Sequence, residues 1–318
     1  MNIKLIQIDG KLPNLALMKL SHFHKRNGDS TRLTTELFPT LLDGKFDRVY
    51  ASAIFKFSSS RVDIVKREFP ESIISGTGTD SKITVEDIIG SEYENYDYSI
   101  YPWFNQSIGF SQRGCRLKCS FCVVPKKEGE NRSVNRINQI WRGEGHPKQI
   151  HLLDNDFFGQ SEWIKRADEI IDGGFEVCLN QGINVRLIDQ EGANILSKMK
   201  YRDDQFKTKR IYTAWDNKGD EKIFFNGIRF LMNAGINPKN IMVYMLCGYW
   251  PNETIEDVMY RFEKMKKIGL KPYPMIYDNN NKLLKKFQRW VIRRFHEFVT
   301  WEDYLRGEQE KIECGTLL

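Results

Sequence analysis

The chain has 318 residues, 41% of them hydrophobic and 28% charged; this globular balance excludes a disordered polymer, and the length excludes a minimal disulfide scaffold. A formal net charge of +6 favours an acidic partner, such as nucleic acid or a phosphorylated metabolite. No apolar run approaches the roughly 20 residues of a membrane span and the Met-Asn-Ile-Lys start lacks a signal-peptide core, so no membrane contact and a cytoplasmic location are expected.

Residues 3–8 read as a buried strand, and the Asp9-Gly10 turn leads through Pro13 and Asn14 into a helix. Leu15, Ala16, Leu17, Met18, Leu20 and Phe23 make that helix mostly apolar, and Gly28 ends it. A β-rich run follows at 48–55, a short helix at 62–69 and another strand at 72–75. This alternation predicts a small doubly wound parallel α/β domain over residues 1–95. The stretch 91–105, with Tyr93, Tyr96 and Pro102, has neither a helical nor a strand period and reads as a linker, assigned to 96–105.

Apolar runs then recur at 107–110, 149–153, 176–179, 210–214, 241–246 and 273–276, with helical patterns between them. Strands alternating with helices predict a parallel α/β sheet over residues 106–280, open or curled into a partial barrel. In one helix Ile255, Val258, Met259, Phe262 and Met265 share a face, Asn252 or Thr254 can cap it, and Gly269 stops it. Catalytic residues of such folds gather at the carboxyl ends of the strands. The remainder, 281–318, reads as a basic helical extension. There Lys282, Lys285, Lys286, Arg289, Arg293 and Arg294 lie among Leu283, Leu284, Phe287, Trp290 and Val291. One face could bind the phosphates of nucleic acid while the other packs; a plain solvated face is the alternative.

Of six cysteines, Cys115, Cys119 and Cys122 fall within eight positions, whereas Cys178, Cys247 and Cys314 lie far apart. The crowded segment is Gly114-Cys115-Arg116-Leu117-Lys118-Cys119-Ser120-Phe121-Cys122, just after the first strand of the second domain. Its spacing lets one loop bring three thiolates to a single iron-sulfur cluster, leaving one iron without a protein ligand. Structural zinc needs a fourth Cys or His nearby, and the next histidine is His146. Arg116 and Lys118 can offset the thiolate charge. An open iron binds and activates a small molecule, which favours an enzyme; an iron-sulfur electron-transfer or sensing protein is the alternative.

This pattern, with the aromatic Phe121 before its third cysteine, resembles the signature of the radical S-adenosylmethionine superfamily, and the likeness spans residues 106–276. The resemblance implies a partial (β/α)6 barrel and a [4Fe-4S] cluster on Cys115, Cys119 and Cys122, whose open iron takes the amino and carboxylate groups of S-adenosyl-L-methionine. It also implies reduction by a protein such as flavodoxin or ferredoxin. Cleavage to methionine and a 5′-deoxyadenosyl radical would follow, then hydrogen abstraction from a substrate the sequence does not name.

Further positions follow from the same resemblance. Leu153-Asp154-Asn155-Asp156 stands where the superfamily often carries Gly-Gly-Glu, so Asp154, Asn155 and Asp156 are candidates to receive the methionine amino group, with helix capping as the alternative. Asn180, Gln181 and Arg186, with Asn184, are candidates for the carboxylate, the ribose or the substrate, and Asp216 for ribose hydroxyls. Cys247-Gly248-Tyr249-Trp250 resembles the turn that contacts adenine. Cys247 could give a hydrogen atom to a radical, or be a small buried apolar residue.

The first domain resembles, more loosely, a cobalamin-binding domain. Asp9 and Gly10 end its first strand, Ser52 lies in its third element, and Ser75-Gly76-Thr77-Gly78 could admit a nucleotide tail; Lys11 stands where a ligand histidine would be. A cobalamin-dependent methyltransferase and a methylthiotransferase or other nucleic-acid-modifying enzyme are therefore alternatives. The extra cluster of the methylthiotransferases would need three more cysteines before Cys115, and the sequence has none there.

Overall fold

The computed structural model describes residues 1–40, 43–91 and 93–315, with no side chains from 309 onward, so Cys314 lies outside the described side chains. The chain divides into two compact units, Met1–Asn105 and Gln106–Leu318.

In chain order the first unit comprises β1 (Asn2–Gln7), α1 (Leu15–Arg26), β2 (Ser30–Thr34), β3 (Arg48–Ser52), α2 (Ser59–Glu68), β4 (Ile73–Ser75) and α3 (Val85–Ile89). The strands form one parallel sheet in the order β2-β1-β3-β4. Alternation along β1 sends Ile6 to one side, where it packs with Ala51, Val62 and Val65, and Ile3 and Leu5 to the other, with Leu17, Leu20 and Tyr50. Both faces are thus covered, as the doubly wound expectation requires. The Asn14 side chain caps α1 by accepting from Leu17 N.

β2 escaped the sequence reading because Ser-Thr-Arg-Leu-Thr carries a single apolar side chain; its register on β1, from Asn2↔Ser30 to Ile6↔Thr34, sets it at the sheet edge. The stretch read as a linker is packed into this unit. Tyr101, 2% exposed, donates to Gln7 Oε1 at 2.7 Å and accepts from Asn14 N at 3.1 Å, and Asp97 accepts from Ser21 Oγ at 2.6 Å.

Two features bear on the cobalamin resemblance. A Cβ on Gly76 would lie 2.1 Å from the Ala53 carbonyl, and one on Gly78 would lie 2.6 Å from that of Phe55. These glycines therefore make room for the backbone leaving β3. Ser52 is buried and its Oγ accepts from Asn14 Nδ2 at 2.9 Å.

The second unit runs β5 (Ser107–Gly109), β6 (Gln112–Arg113), α4 (Val124–Lys127), β7 (Arg132–Ser133), α5 (Ile137–Ile140), β8 (Gln149–Leu152), α6 (Trp163–Asp172), β9 (Glu176–Leu179), α7 (Gln190–Lys198) and β10 (Lys200–Tyr201). It continues with β11 (Ile211–Ala214), α8 (Glu221–Asn233), β12 (Ile241–Cys247), α9 (Ile255–Lys267), β13 (Lys271–Ile276), α10 (Lys282–Ile292) and α11 (Trp301–Gly315). All six expected strands are present, in two parallel sheets ordered β10-β9-β8-β5 and β11-β12-β13. No ladder is recorded between β9 and β11; instead Ile183 N donates to the Tyr212 carbonyl at 2.8 Å and Thr213 Oγ1 donates to the Ile183 carbonyl at 2.9 Å.

One large core joins the strands to α6 through α10. In β12, Ile241, Val243, Met245 and Cys247 are buried with Phe224 of α8 and Val258 and Phe262 of α9, while Met242, Tyr244 and Leu246 are half-buried on the opposite face. α9 starts at Thr254, whose side chain accepts from Asp257 N, and buries the expected Val258, Phe262 and Met265 together with Arg261. No described helix is long and apolar enough to cross a membrane.

Candidate functional site

The cysteine loop leaves β6 at Gly114, whose φ is +78°; a Cβ there would lie 2.2 Å from the Glu130 carbonyl, so only glycine fits this turn. Cys115, Cys119 and Cys122 are half-buried and unpaired with one another. Leu117 N approaches Cys115 Sγ at 3.4 Å, and Cys122 N donates to the Cys119 carbonyl at 3.0 Å. Burial raises the Cys115 thiol, with the charges of Asp156, Cys122 and Cys119 pushing the same way. Cys122 is raised by burial too, then by Cys119, Glu128 and Asp216.

Cys115 and Cys122 thus each lie within electrostatic reach of Cys119 on a single turn. Among the described residues no three His, Cys, Asp or Glu side chains form a nest for one ion. Three thiols on one turn, with no fourth cysteine or histidine beside them in the sequence, are in kind a donor set for an iron-sulfur cluster.

The loop is fastened to the exit of β8. Asp154, fully buried, accepts from Ser111 N at 2.7 Å, Gln112 N at 3.1 Å and the Ser111 hydroxyl; burial pushes its carboxyl up to about 7. Asp156, 0% exposed, takes a two-pronged contact from Arg116, Nε at 2.7 Å and Nη2 at 3.1 Å, and Arg116 N at 3.2 Å. Gln112 Oε1 accepts Asp156 N at 2.9 Å, and the Gln112 amide donates to the carbonyls of Arg113 and Gly114 at 2.6 and 2.7 Å. Asn155 Nδ2 reaches Glu128 Oε2 at 2.9 Å, the same oxygen that holds Arg113 Nε and Gly114 N at 3.0 Å each. Asp154, Asn155 and Asp156, read from the sequence as candidate amino-group acceptors, thus all bind this chain's own loop.

Half of the chain is similar to a known enzyme. It is 26% identical over 175 residues to the tRNA-2-methylthio-N(6)-dimethylallyladenosine synthase of Sulfurihydrogenibium sp. (strain YO3AOP1), a match covering 49% of this chain and 39% of that one. The chain therefore spans about two fifths of that enzyme's length. No protein-family model and no solved structure matches. At this identity and coverage the likeness hints at the radical S-adenosylmethionine superfamily and at nothing finer.

Of the candidate residues at later strand exits, Arg186 and Asp216 come within reach of this loop. Arg186, half-buried after β9, places Nη2 3.6 Å from Cys119 Sγ and Nη1 2.7 Å from Asp220. Asn180 bonds His151 Nδ1 at 3.2 Å, and Gln181 is exposed. Asp216 accepts from Leu246 N at 2.9 Å, and burial raises its carboxyl. Phe121 meets Tyr249 edge-to-face at 5.4 Å, and Tyr249 packs on Trp250 at 5.1 Å and Tyr277 at 4.8 Å, an aromatic wall beside the cysteines. Gly248, with φ +81°, donates its N–H to Glu253 Oε2 at 2.6 Å, and a Cβ there would lie 2.7 Å from Leu284 Cδ1.

Cys247 lies on the helix-packed face of β12, 0% exposed, with burial raising its thiol to about 12. Cys178 belongs to a different cluster, with Phe206 and Tyr212, so these two thiols are not drawn together.

Sequence reasoning missed Arg261. It is 0% exposed, and its guanidinium donates to the carbonyls of Trp215 and Leu246 at 2.8 Å and to Glu253 at 2.6 Å, tying the ends of β11 and β12 together. A cation between Val258 and Met265 on an apolar helix face was the available signal. Glu128, Asp220 and Glu253 carried none, since each is defined by partners distant in sequence or by a turn.

Proposed function

We propose that this chain is a radical S-adenosylmethionine enzyme, with the two parallel sheets of the second unit acting as a partial (β/α)6 barrel. The reading rests on one observation: three unpaired cysteines on a turn held open by Gly114 and clamped through Asp154 and Asp156. When bound, a [4Fe-4S] cluster with S-adenosylmethionine would supply reductive cleavage to a 5′-deoxyadenosyl radical and hydrogen abstraction from a substrate. Cys115, Cys119 and Cys122 hold the cluster. Phe121, Tyr249 and Trp250 exclude water and offer a flat surface to the nucleoside. Asn180 and Asp216 provide polar contacts nearby, and a flavodoxin- or ferredoxin-type protein is the reductant.

The test is anaerobic reconstitution followed by S-adenosylmethionine addition to the reduced protein. A changed paramagnetic spectrum and release of 5′-deoxyadenosine are expected, and Cys115→Ala, Cys119→Ala and Cys122→Ala should each lose both. A cluster blind to S-adenosylmethionine would make this an electron carrier, and zinc without iron-sulfur absorption would refute the assignment.

The basic side of α10, together with the relative's tRNA-directed name, favours nucleic acid as the substrate class. Methylthiolation itself is not proposed, because no cysteines precede Cys115 in this sequence to hold a second cluster. No cobalamin is assigned.

A further inference from the structure

Among charged side chains near the cysteine loop, Arg116 binds the carboxylate of Asp156, whereas Arg186 reaches a cysteine sulfur directly. It stands on the turn after β9, at Val185–Leu187, and its two terminal nitrogens are divided: Nη1 lies on Asp220 at 2.7 Å, and Nη2 points at Cys119 Sγ at 3.6 Å. More than half of the guanidinium's surroundings are protein, its side chain being 21% exposed, so its charge is poorly screened by water. Asp220 sits just before α8 and is itself 28% exposed, which lets it orient the guanidinium without fully neutralising it. Cys119 is the middle of the three cysteines.

We propose that Arg186 is a positioning residue that sets the reduction potential of the cluster through a charge-assisted N–H···S bond to the Cys119 sulfur, with Asp220 aiming it and tempering its charge. This rests on the function proposed above. Adding one electron makes the cluster more negative, and a fixed cation and hydrogen bond at a ligand sulfur stabilise the reduced form more than the oxidised one. Arg186 therefore eases a reduction that the radical chemistry needs. The same contact leaves less of the guanidinium for the carboxylate of a bound amino acid, so its effect is on electron entry more than on cofactor affinity.

The measurement is a potentiometric titration of anaerobically reconstituted full-length protein, followed by electron paramagnetic resonance, at matched iron and sulfide content. Arg186→Gln should lower the midpoint potential by about 59 mV, a tenfold fall in the reduced-to-oxidised ratio at fixed potential for one electron. Arg186→Lys, which keeps the cation, should recover most of that shift. An unmoved potential in Arg186→Gln, or equal shifts in the Gln and Lys variants, would overturn the proposal while leaving the superfamily assignment standing. If Arg186→Gln holds no iron, Asp220→Asn is read instead: it leaves the guanidinium in place without its counter-charge, and its potential should rise, an unmoved value overturning the idea. A wild-type protein that takes up no cluster at all would overturn both this proposal and the proposed function.

Discussion

Arg116 closes a fork on Asp156, with Nε at 2.7 Å and Nη2 at 3.1 Å, and so joins the second residue of the cysteine loop to the turn after β8, forty positions away. The carboxylate is fully buried while the guanidinium is 37% exposed. A loop of short-range ligands thereby acquires a long-range anchor, and the shape presented to a cluster depends on residues that never touch the metal.

Removing that anchor should cost stability and metal together. Asp156→Ala strips the partner from an exposed cation and from Arg116 N, and should destabilise by about 2 kcal/mol, less than a fully buried pair because water reaches the guanidinium. Urea unfolding should show a lower midpoint with an unchanged slope, and iron per chain after reconstitution should fall. Gly159→Ala should act on the same contact, since its Cβ would lie 2.2 Å from Asp156 Oδ2 and 2.6 Å from Arg116 Nε. Full iron uptake by Asp156→Ala would show that the cysteines shape the loop unaided.

Asp154 makes the stability of the second unit depend on pH. Burial raises its carboxyl from 3.8 in an open chain to about 7, so between these values the folded protein holds a proton that the unfolded chain has lost. Its contribution is therefore complete below about pH 4 and is lost as pH rises through 7, with a slope approaching 1.4 kcal/mol per unit. Asp154→Asn mimics the protonated form: its oxygen can accept from Ser111 N and Gln112 N, and its amide can face the Ser111 hydroxyl. Chemical denaturation of the metal-free protein from pH 4 to 8 should show the wild type weakening and the Asn variant flatter. Parallel curves would remove Asp154 as the source.

The crowding of three cysteines on one turn was legible in the sequence because it is local, and so were the six strands of the second unit, whose apolar runs are bounded. The partners were not legible. Asp154 and Asp156 stood out as acidic residues at a strand exit, but only the fold brings Ser111, Gln112 and Arg116 to them across some forty positions. Tyr101 read as linker because burial through one hydroxyl leaves no periodic trace, and β2 was hidden because an edge strand held by its backbone needs few apolar side chains. Arg261 was concealed by its own setting, a polar residue satisfied by carbonyls beneath an apolar helix face.

Cys247 provides a negative control for the chemistry. Its thiol shares the helix-packed face of β12 with Val243 and Met245 and donates to the Met245 carbonyl at 3.3 Å. Cys247→Ala should cost about 1 kcal/mol from the small cavity and leave iron content and 5′-deoxyadenosine release at wild-type levels. Loss of product formation with the cluster intact would mean that the thiol reaches the radical after all.

The exposed side of α10 carries the substrate prediction. Leu284, Phe287, Trp290 and Val291 bury the opposite side, whereas Lys282, Lys285, Arg289 and Arg293 recur every three or four residues along one exposed ridge. Arg289 approaches Glu308 only at 3.7 Å, and at 57% exposure that pair is worth little against a phosphate. Because charge reversal on the ridge leaves the apolar side untouched, Lys282→Glu with Lys285→Glu and Arg289→Glu should fold normally yet bind tRNA far more weakly. Wild-type affinity should fall with salt at a logarithmic slope of about −3, as expected for three or four phosphate contacts, and the triple variant should lose most of that slope. Equal retention of tRNA by both proteins at low salt would show that the ridge is a solvated surface and would move the search for substrate away from nucleic acid.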